Sequence, residues 1–275
     1  MTTAPPLPEA GPALLLRALC KRGHAAMPPA PLESAYSLPR IDADRLARYN
    51  ALLGFASDAL PLTFYYLIAQ RAHLASMLDA AFPFRLAGMI HAENALHEIR
   101  RPALDRPLAI KTRLEIEAPT ERGARYCTLA SRAEQDGADI FACTSRYLAQ
   151  RGESSRKSNV PPAEQETLPL LAAWHLEADS GVRYAAVSGD WNLIHLRRWS
   201  ARLFGLPAPI IHGMHTMAAA CARLERAQAT RVTSMSARFK APIALGSEAE
   251  LFAGGGTGAY RVRCGTTIAV AGSFS

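Results

Sequence analysis

The sequence contains no closely spaced pair of cysteines, no long apolar run and no basic cluster, and each absence argues against a class of protein. No CxxC pair occurs, so a structural zinc site is not expected. The apolar run Ala13 to Leu16 is too short to span a membrane, and its flanks do not match a signal peptide. The 31 Lys and Arg residues are scattered, without a zinc finger or basic helix, so nucleic-acid binding is not expected.

The composition is that of a folded protein, with 49% hydrophobic and 20% charged residues. Cys127, Cys143 and Cys221 lie in apolar stretches and are predicted to be reduced core residues, which favours a reducing, cytoplasmic location. The net charge of +7 comes from scattered basic residues. This excess suits coenzyme A or an acidic carrier protein as partner, or it only keeps the protein in solution.

The first half is predicted to form a helix followed by antiparallel strands. Residues 1–35 are rich in Pro and Ala and are expected to be an irregular or short helical extension, so residues 36–150 form the first unit. Apolar residues at helical spacing predict a buried helix over 62–78. Alternating patterns then predict strands at 110–116, 125–131 and 140–148, with a turn at Gln135-Asp136-Gly137.

The second half repeats this order after a polar, Pro-containing linker at residues 151–168. Residues 169–275 form the second unit, in which a short helix at 197–204 precedes a longer helix at 213–227. Strands are predicted at 235–239, around Leu251, and at 259–264 and 267–271. A faint echo, Ile90-His91-Ala92 against Ile211-His212-Gly213, adds to the case for two α+β units, each with a sheet around one helix.

The segment from Ser188 to His195 contains the residues suited to acid–base chemistry. Ser188-Gly189-Asp190 is a turn sequence, and Asp190 and His195 are five residues apart, which is not one face of a helix. A loop leading into a helix can still bring a carboxylate and an imidazole together to move protons to and from water. Asn192 lies between them and offers both a donor and an acceptor.

Gly213 begins the longer helix of the second half. The first amides of a helix have no intrahelical acceptor, and the positive end of the helix dipole lies behind them. Such an amide can stabilise a carbonyl oxygen that gains negative charge, and glycine lets a ligand approach the backbone closely. Taken alone, however, Asp190 also fits a turn or capping residue, and His195 and His212 fit packed structural histidines.

The combination of motifs resembles the MaoC-like, (R)-specific enoyl-CoA hydratase family. The pattern S-G-D-x-N-x-x-H, a short helix and Pro209-Ile-Ile-His-Gly-Met214 carry the resemblance over residues 181–220. Phe82-Pro83-Phe84, Gly88 to Asn94 and Arg101-Pro102 are similar to the first unit of double-hotdog 3-hydroxyacyl-thioester dehydratases of mycobacterial type. The resemblance extends over most of residues 38–275 and implies an α+β double hotdog, with two antiparallel sheets that each wrap a central helix.

The resemblance also implies an activity and a set of site residues. Members hydrate trans-2-enoyl thioesters reversibly to (R)-3-hydroxyacyl thioesters, without a metal or redox cofactor. Asp190 and His195 match the pair that activates water, and Gly213 matches the oxyanion-hole glycine. Asn192, His212 and Met214 are assigned to substrate binding. The coenzyme A or acyl-carrier arm belongs to the substrate, the first unit accommodates the acyl chain, and a homodimer is compatible with the architecture.

Two departures from the family pattern leave other functions open. Leu193 stands where the family usually has proline, which costs about 0.4–1 kcal/mol of loop pre-organisation. Arg197-Arg198 replace a common Asx-Pro step. The alternatives are a hotdog protein that binds acyl thioesters without turnover or needs a partner, and a hotdog thioesterase. Acyl length, carrier and physiological direction are not fixed by the sequence.

Overall fold

The computed structural model describes residues 4–153, 168–256 and 258–275, in which ten strands form one antiparallel sheet. The first half contains α1 (Pro12–Cys20), β1 (Leu32–Leu38), α2 (Ala43–Leu53), α3 (Tyr65–Met77), β2 (Ile90–Glu98), β3 (Leu108–Ile116), β4 (Arg125–Gln135) and β5 (Ala138–Gln150). The second contains β6 (Leu170–His175), α4 (Ser180–Ser188), α5 (Arg198–Leu203), α6 (Gly213–Gln228), β7 (Ser234–Phe239), β8 (Glu248–Ala253), β9 (Gly258–Cys264) and β10 (Thr267–Phe274). Short 3₁₀ helices occur at Leu62–Phe64 and Leu193–His195.

The order of strands in the sheet shows that the two halves share one topology. The order is β1-β3-β4-β5-β2-β7-β10-β9-β8-β6. Read inward from either edge, it gives the first, third, fourth, fifth and second strand of that half. The halves meet where β2 pairs with β7 through five residue pairs, from Glu93↔Arg238 to His97↔Ser234. The predicted α+β double architecture is therefore confirmed, and its two sheets join edge to edge into one.

One long helix in each half provides the core on the inner face of the sheet. Helix α3 is buried on nearly all sides, through Tyr65, Ile68 and Ala72 among others, as the apolar pattern over 62–78 predicted. Helix α6 buries Met217 and Cys221 in the same apolar cluster. The small residues Ala218 to Ala220 of α6 are fully or almost fully buried, which lets its backbone approach its neighbours closely.

The N-terminal segment is packed more tightly than its composition predicted. Strand β1 begins at Leu32, inside the range 1–35 that the sequence placed outside the folded unit, and it pairs with β3 along its whole length. Leu7 and Leu14 are buried, and Pro6 forms a bridge with Ser37. The expected short helical extension is present as α1, but a few apolar side chains among Pro and Ala anchor the segment to the folded unit, which the sequence did not predict.

The structure also corrects the interpretation of the sequence similarity between residues 90–92 and 211–213. His91 lies within β2, after the long helix α3, whereas His212 immediately precedes the long helix α6. Because the sheet order matches β2 with β7 and α3 with α6, the two histidines occupy different places in their halves. The similarity of Ile90-His91-Ala92 to Ile211-His212-Gly213 is therefore not a structural correspondence, although the duplication that it suggested is present in the topology.

The remaining predictions concern the unit limits, the cysteines, membrane-spanning helices, the location and the oligomeric state. The unit limits 36–150 and 169–275 stay predictions, and residues 154–167 of the predicted linker lie outside the described residues. Cys127, Cys143 and Cys221 are buried free cysteines, as predicted. In the part of the chain that the structure describes, no helix has the length and apolar character needed to cross a membrane. The cytoplasmic location and the homodimer stay predictions.

Candidate active site

The loop that follows α4 is held by a chain of short-range hydrogen bonds. Gly189 ends the helix with φ +78°, in the left-handed region that glycine adopts readily. The Ser188 hydroxyl accepts a hydrogen bond from the Asp190 amide at 3.1 Å, and Asp190 Oδ1 accepts one from the Asn192 amide at 3.2 Å. Asn192 Oδ1 in turn accepts from the Ile194 amide at 3.4 Å. These side-chain turns order a segment that has no ladder partner.

His195 ends the 3₁₀ helix and is almost completely buried. Its Nδ1 lies 2.8 Å from the carbonyl oxygen of Ile210, and only a protonated nitrogen can donate to a carbonyl. In the neutral ring, Nε2 therefore carries the free lone pair, as a general base requires. The turn that carries His195 is fixed from behind, because the Ser200 hydroxyl donates to the Leu193 carbonyl at 2.6 Å.

His212 supports both members of the predicted pair. Its Nε2 donates to the main-chain carbonyl of Asp190 at 2.9 Å, and its ring stacks on that of His195 with centroids 3.7 Å apart. The remaining nitrogen, Nδ1, is buried and has no hydrogen-bond partner among the described residues. His212 therefore links Asp190 to His195. The substrate contact that the sequence assigned to His212 stays a prediction.

The structure brings Asp190, His195 and His212 together. One side-chain ligand atom of each lies within 4.8 Å of the others. Burial lowers the pKa of His195 below its usual value, and the Asp190 carboxylate opposes that shift. Burial and then the neighbouring His195 hold the pKa of His212 well below its usual value. Both rings are therefore neutral at pH 7, beside a carboxylate that is half-buried.

Two imidazoles and a carboxylate are also a donor set for zinc or non-haem iron. The rings of His195 and His212 are stacked, however, with only 27° between their planes. The lone pairs lie in the ring planes, so stacked rings direct them nearly side by side instead of towards one tetrahedral centre. The arrangement fits two neighbouring proton-accepting groups better than it fits a metal ion.

Gly213 is the first residue of α6, and the helix has no side-chain cap at His212. Amides in this first turn lack an intrahelical acceptor. A Cβ atom at Gly213 would lie 2.8 Å from the ring of Phe239, closer than packing allows. The glycine is therefore required by the ring of Phe239 on β7, a neighbour that the sequence did not reveal because the two positions are 26 apart in the chain.

The other two predicted residues have different surroundings. Asn192 is half-buried at the start of the 3₁₀ helix, and its carbonyl oxygen caps that helix. Met214 is 4% exposed and belongs to the main apolar core. Its position indicates packing beneath the site, and its assignment to substrate binding stays a prediction.

Comparison with known proteins identifies the family of this chain. The profile of the MaoC like domain matches residues 159–254, which include all of the site residues. 3-Hydroxyacyl-thioester dehydratase X of Mycobacterium tuberculosis is 30% identical over 222 residues, which are 80% of this chain and 79% of that protein. The chain belongs to the MaoC-like dehydratase family. It is thus a hydratase or dehydratase, an enzyme of the hydro-lyase class.

Solved structures show the same architecture. The crystal structure of HtdX of Mycobacterium tuberculosis superposes with a TM-score of 0.70 at 26% identity, covering 87% of this chain and 98% of that one. A Mycobacterium tuberculosis protein described as a double hotdog gives 0.56 at 13% identity, covering 96% and 98%. Peroxisomal multifunctional enzyme type 2 of Drosophila melanogaster gives 0.67 at 17% identity, covering 88% of this chain and 48% of that one. The double-hotdog prediction is confirmed.

The candidate site contains a tyrosine that the sequence motifs did not single out. Tyr184 on α4 is buried, with its ring 4.9 Å from that of His212 and 5.4 Å from that of His215. Its hydroxyl has no hydrogen-bond partner among the described residues, and burial followed by the nearby Asp190 carboxylate raises its pKa. Tyr184 lies one helical turn before Ser188, so its spacing from the motif could have indicated it.

Arg45 from the first half also supports the MaoC-like motif. Its guanidinium donates to the carbonyls of Val187 at 2.6 Å and Ser188 at 2.7 Å, which are unsatisfied acceptors at the end of α4. In the sequence, Arg45 is 142 positions from Val187 and 143 positions from Ser188, so these contacts are long-range. Arg45 therefore fixes the helix end that precedes Asp190 and connects it to α2.

Residues 5–10, which we call the N-terminal strap, lie against the same helix end. Leu7 and Pro5 exchange backbone hydrogen bonds with Ser37. Arg71 on α3 donates to the carbonyls of Leu7 and Pro8 and forms an ion pair of 2.7 Å with Glu9. The strap is thus held by β1 on one side and by Arg71 on the other.

The last residue of the strap touches the loop that contains Asp190. A Cβ atom at Gly189 would lie 2.4 Å from the Cβ of Ala10, so backbone and strap are in direct contact there. Asp190 follows Gly189, and any shift of this loop moves the carboxylate relative to His195. A displacement of the strap is therefore expected to shift Asp190 as well.

Replacing Arg71 by Met is expected to lower kcat about tenfold with little change in KM, because misplacement of a reacting group reduces rate more than binding. The substitution keeps an apolar stem and removes the donors to Leu7 and Pro8. Steady-state kinetics on an enoyl thioester measure the effect. Arg106→Met, which breaks only an exposed ion pair, is the matched control. An unchanged kcat in Arg71→Met would contradict a positioning role.

Proposed function

We propose that the protein catalyses the reversible hydration of trans-2-enoyl thioesters to (R)-3-hydroxyacyl thioesters. The observation that carries the proposal is the cluster of Asp190, His195 and His212, in which the hydrogen bond to Ile210 leaves His195 Nε2 free. Membership of the MaoC-like family and the dehydratase name of the 30% identical relative support it.

In the proposed hydration, a water molecule is held between the Asp190 carboxylate and His195 Nε2. The imidazole accepts a proton as the water oxygen bonds to C3 of the enoyl group. The C2–C3 π electrons move towards the thioester carbonyl, and an enolate oxygen forms. The proton returned from His195 to C2 completes the addition of one hydroxyl and one hydrogen, and dehydration follows the same steps in reverse.

The enolate oxygen needs a donor, and the first turn of α6 supplies one in this proposal. The Gly213 amide lies where the helix has neither a side-chain cap nor an intrahelical acceptor. The positive end of the helix dipole adds to the attraction for a developing negative charge. Phe239, packed against Gly213, keeps this helix end in place while its ring covers one side of it.

No metal or redox cofactor takes part in this proposal, and the coenzyme A or carrier arm belongs to the substrate. Hydration moves protons and one water molecule, and Asp190 with His195 can do both without a Lewis acid. The stacked arrangement of His195 and His212 is the structural argument for this view. Activity is therefore expected to be retained after dialysis against a chelator.

The test is a hydration assay over a series of acyl chain lengths, with coenzyme A and acyl carrier protein as carriers. Loss of the enoyl absorbance with formation of the (R)-3-hydroxy product supports the proposal. Release of free thiol instead would identify a thioesterase. Binding of enoyl thioesters at every length without any turnover would identify a protein that only binds them.

The acid limb of kcat/KM for hydration is expected below pH 6.5, the usual imidazole pKa. Burial lowers the pKa of His195, so the neutral base persists at pH values where a free histidine is protonated. Because the Asp190 carboxylate raises this pKa, Asp190→Asn is expected to lower it further, which NMR titration of His195 measures. A limb at or above the usual value would contradict His195 as the base.

A further inference from the structure

Helix α5 exposes large apolar side chains beside the candidate site. Trp199 is 65% exposed, Leu203 72% and Phe204 39%. Trp199 and Leu203 are four residues apart and lie on one face of the helix, with Phe204 next to them. We call these three residues the α5 patch. Isolated exposed apolar residues are ordinary, but a grouped set that includes tryptophan is typical of an interaction surface.

A border of positive charge surrounds the α5 patch. Arg197, Arg198 and Arg202 are all exposed. No salt bridge within the described ranges involves any of the three, although many other arginines of the chain are paired, such as Arg146 with Glu117. Three arginines with unmatched charge around an apolar centre are complementary to an acidic surface that carries its own apolar residues.

The α5 patch lies close to the reacting groups. Arg198, where α5 begins, is three residues after His195 in the chain, and α5 packs against the 3₁₀ helix that carries this histidine. The opposite face of α5 is buried through Ser200 and Ala201, and Ser200 donates to the Leu193 carbonyl. One face of the helix therefore holds the catalytic turn while the other is free for a partner.

We propose that the α5 patch docks an acidic acyl carrier protein, which presents its thioester to Asp190 and His195. The inference rests on the proposed function and names the carrier that this site takes. Coenzyme A offers phosphates to the arginines and an adenine ring that can stack on Trp199, but it has no protein surface to cover Leu203 and Phe204 as well. A carrier protein offers both an acidic and an apolar surface. It must stay on the surface of the enzyme while the arm that bears its thioester enters the candidate site.

Two other occupants fit the surface less well. A second copy of the chain, related by a two-fold axis through the α5 patch, would place its arginines against the same arginines. An anionic membrane would attract the charges, but α5 has only six residues and three apolar side chains to insert, and membrane binding scales with the buried apolar area. The carrier protein matches both the charge and the small apolar area.

The experiment compares one acyl group on two carriers, crotonyl-coenzyme A and a purified acidic acyl carrier protein loaded with crotonyl. The double variants Arg198→Glu/Arg202→Glu and Trp199→Ala/Leu203→Ala are expected to lose about tenfold or more in kcat/KM on the carrier-protein substrate. Their kcat/KM on crotonyl-coenzyme A is expected to stay within about twofold of the unmodified enzyme. The matched control is Ile99→Ala/Arg100→Glu, an exposed apolar and basic pair elsewhere.

Direct binding separates this proposal from the proposed function. Calorimetric titration with the holo form of the acyl carrier protein reports docking even when no turnover is detected, and added salt is expected to weaken it. Equal losses on both carriers, or no loss on either, would overturn the docking role. So would α5 patch variants that convert a dimer to a monomer, or an unmodified protein that floats with anionic vesicles and does not bind the carrier protein.

Discussion

Asp190→Asn is expected to lower the rate of hydration by about 100- to 10,000-fold, the usual contribution of general acid–base catalysis. The amide keeps the size of the carboxylate and can still accept the hydrogen bond from the Asn192 amide, so the loop is expected to keep its shape. What is lost is the negative charge that holds water beside His195 and stabilises the imidazolium formed during the reaction. Initial rates on crotonyl-coenzyme A, with circular dichroism to verify folding, measure the change.

Asp179→Asn is the matched control for this substitution. Asp179 precedes α4 at its other end, is exposed, and has a 3.9 Å ion pair with Arg183. The control therefore removes a carboxylate from the same helix without touching the candidate site. If Asp190→Asn and Asp179→Asn have similar activity, the assignment of Asp190 is wrong. If Asp190→Asn loses activity because it unfolds, Asp190 has a structural role and not a catalytic one.

Stability is expected to fall steeply as the pH drops below about 6.5, because several histidines are buried as neutral rings. Burial lowers the pKa of His73, His91 and His215 to about 3. In the unfolded chain these rings protonate near the ordinary value of 6.5. Below that pH the unfolded state binds more protons than the native state, so acid favours unfolding.

The size of this effect follows from the number of protons taken up. Each of these histidines contributes a slope of about 1.4 kcal/mol per pH unit once the pH is well below 6.5, so the three together give about 4 kcal/mol per unit. The lowered pKa values of His195 and His212 act in the same direction. Urea unfolding at a series of pH values from about 7.5 to 5 measures the free energy of unfolding directly.

His73→Leu tests the origin of the slope. Both ring nitrogens of His73 are buried without a hydrogen-bond partner among the described residues, so an apolar side chain of similar size removes an unfavourable burial. The variant is expected to lose about 1.4 kcal/mol per pH unit of the slope while remaining folded at neutral pH. His97→Gln, at an exposed position of β2, is the control. A free energy of unfolding that does not change between pH 7.5 and 5 would refute the explanation.

The sequence predicted elements wherever one residue pattern was sufficient by itself. Strand β3 follows from strict alternation, β4 and β5 follow from strand-like segments on either side of a turn, and α3 and α6 follow from apolar residues at helical spacing. Strand β1 was missed because its alternation is weak: Ser34 lies on the inner side with Leu32, Tyr36 and Leu38, and Ala35 lies on the exposed side. Strand β6 and helix α4 were missed for a similar reason, since a short segment offers too few positions to define a period.

The residues of the candidate site also fall into two groups, those that a short sequence motif indicated and those that only the structure revealed. Asp190, Asn192, His195 and Gly213 belong to two short motifs, at 188–195 and 209–214, whose combined resemblance to the hydratase family indicated them. Arg45, the strap and Phe239 act on that motif from distant positions in the chain, and no local pattern records such contacts. Long-range packing fixed their roles, so they could be recognised only once the halves were seen together.

The five residue pairs between β2 and β7 place the association of the two halves within a single molecule. Two separate hotdog chains that met along this seam would follow mass action and come apart on dilution. In the fused chain the effective concentration of one half near the other is set by the connection and not by the amount of protein. The half that contains Asp190 and His195 therefore has its supporting half beside it at any protein concentration.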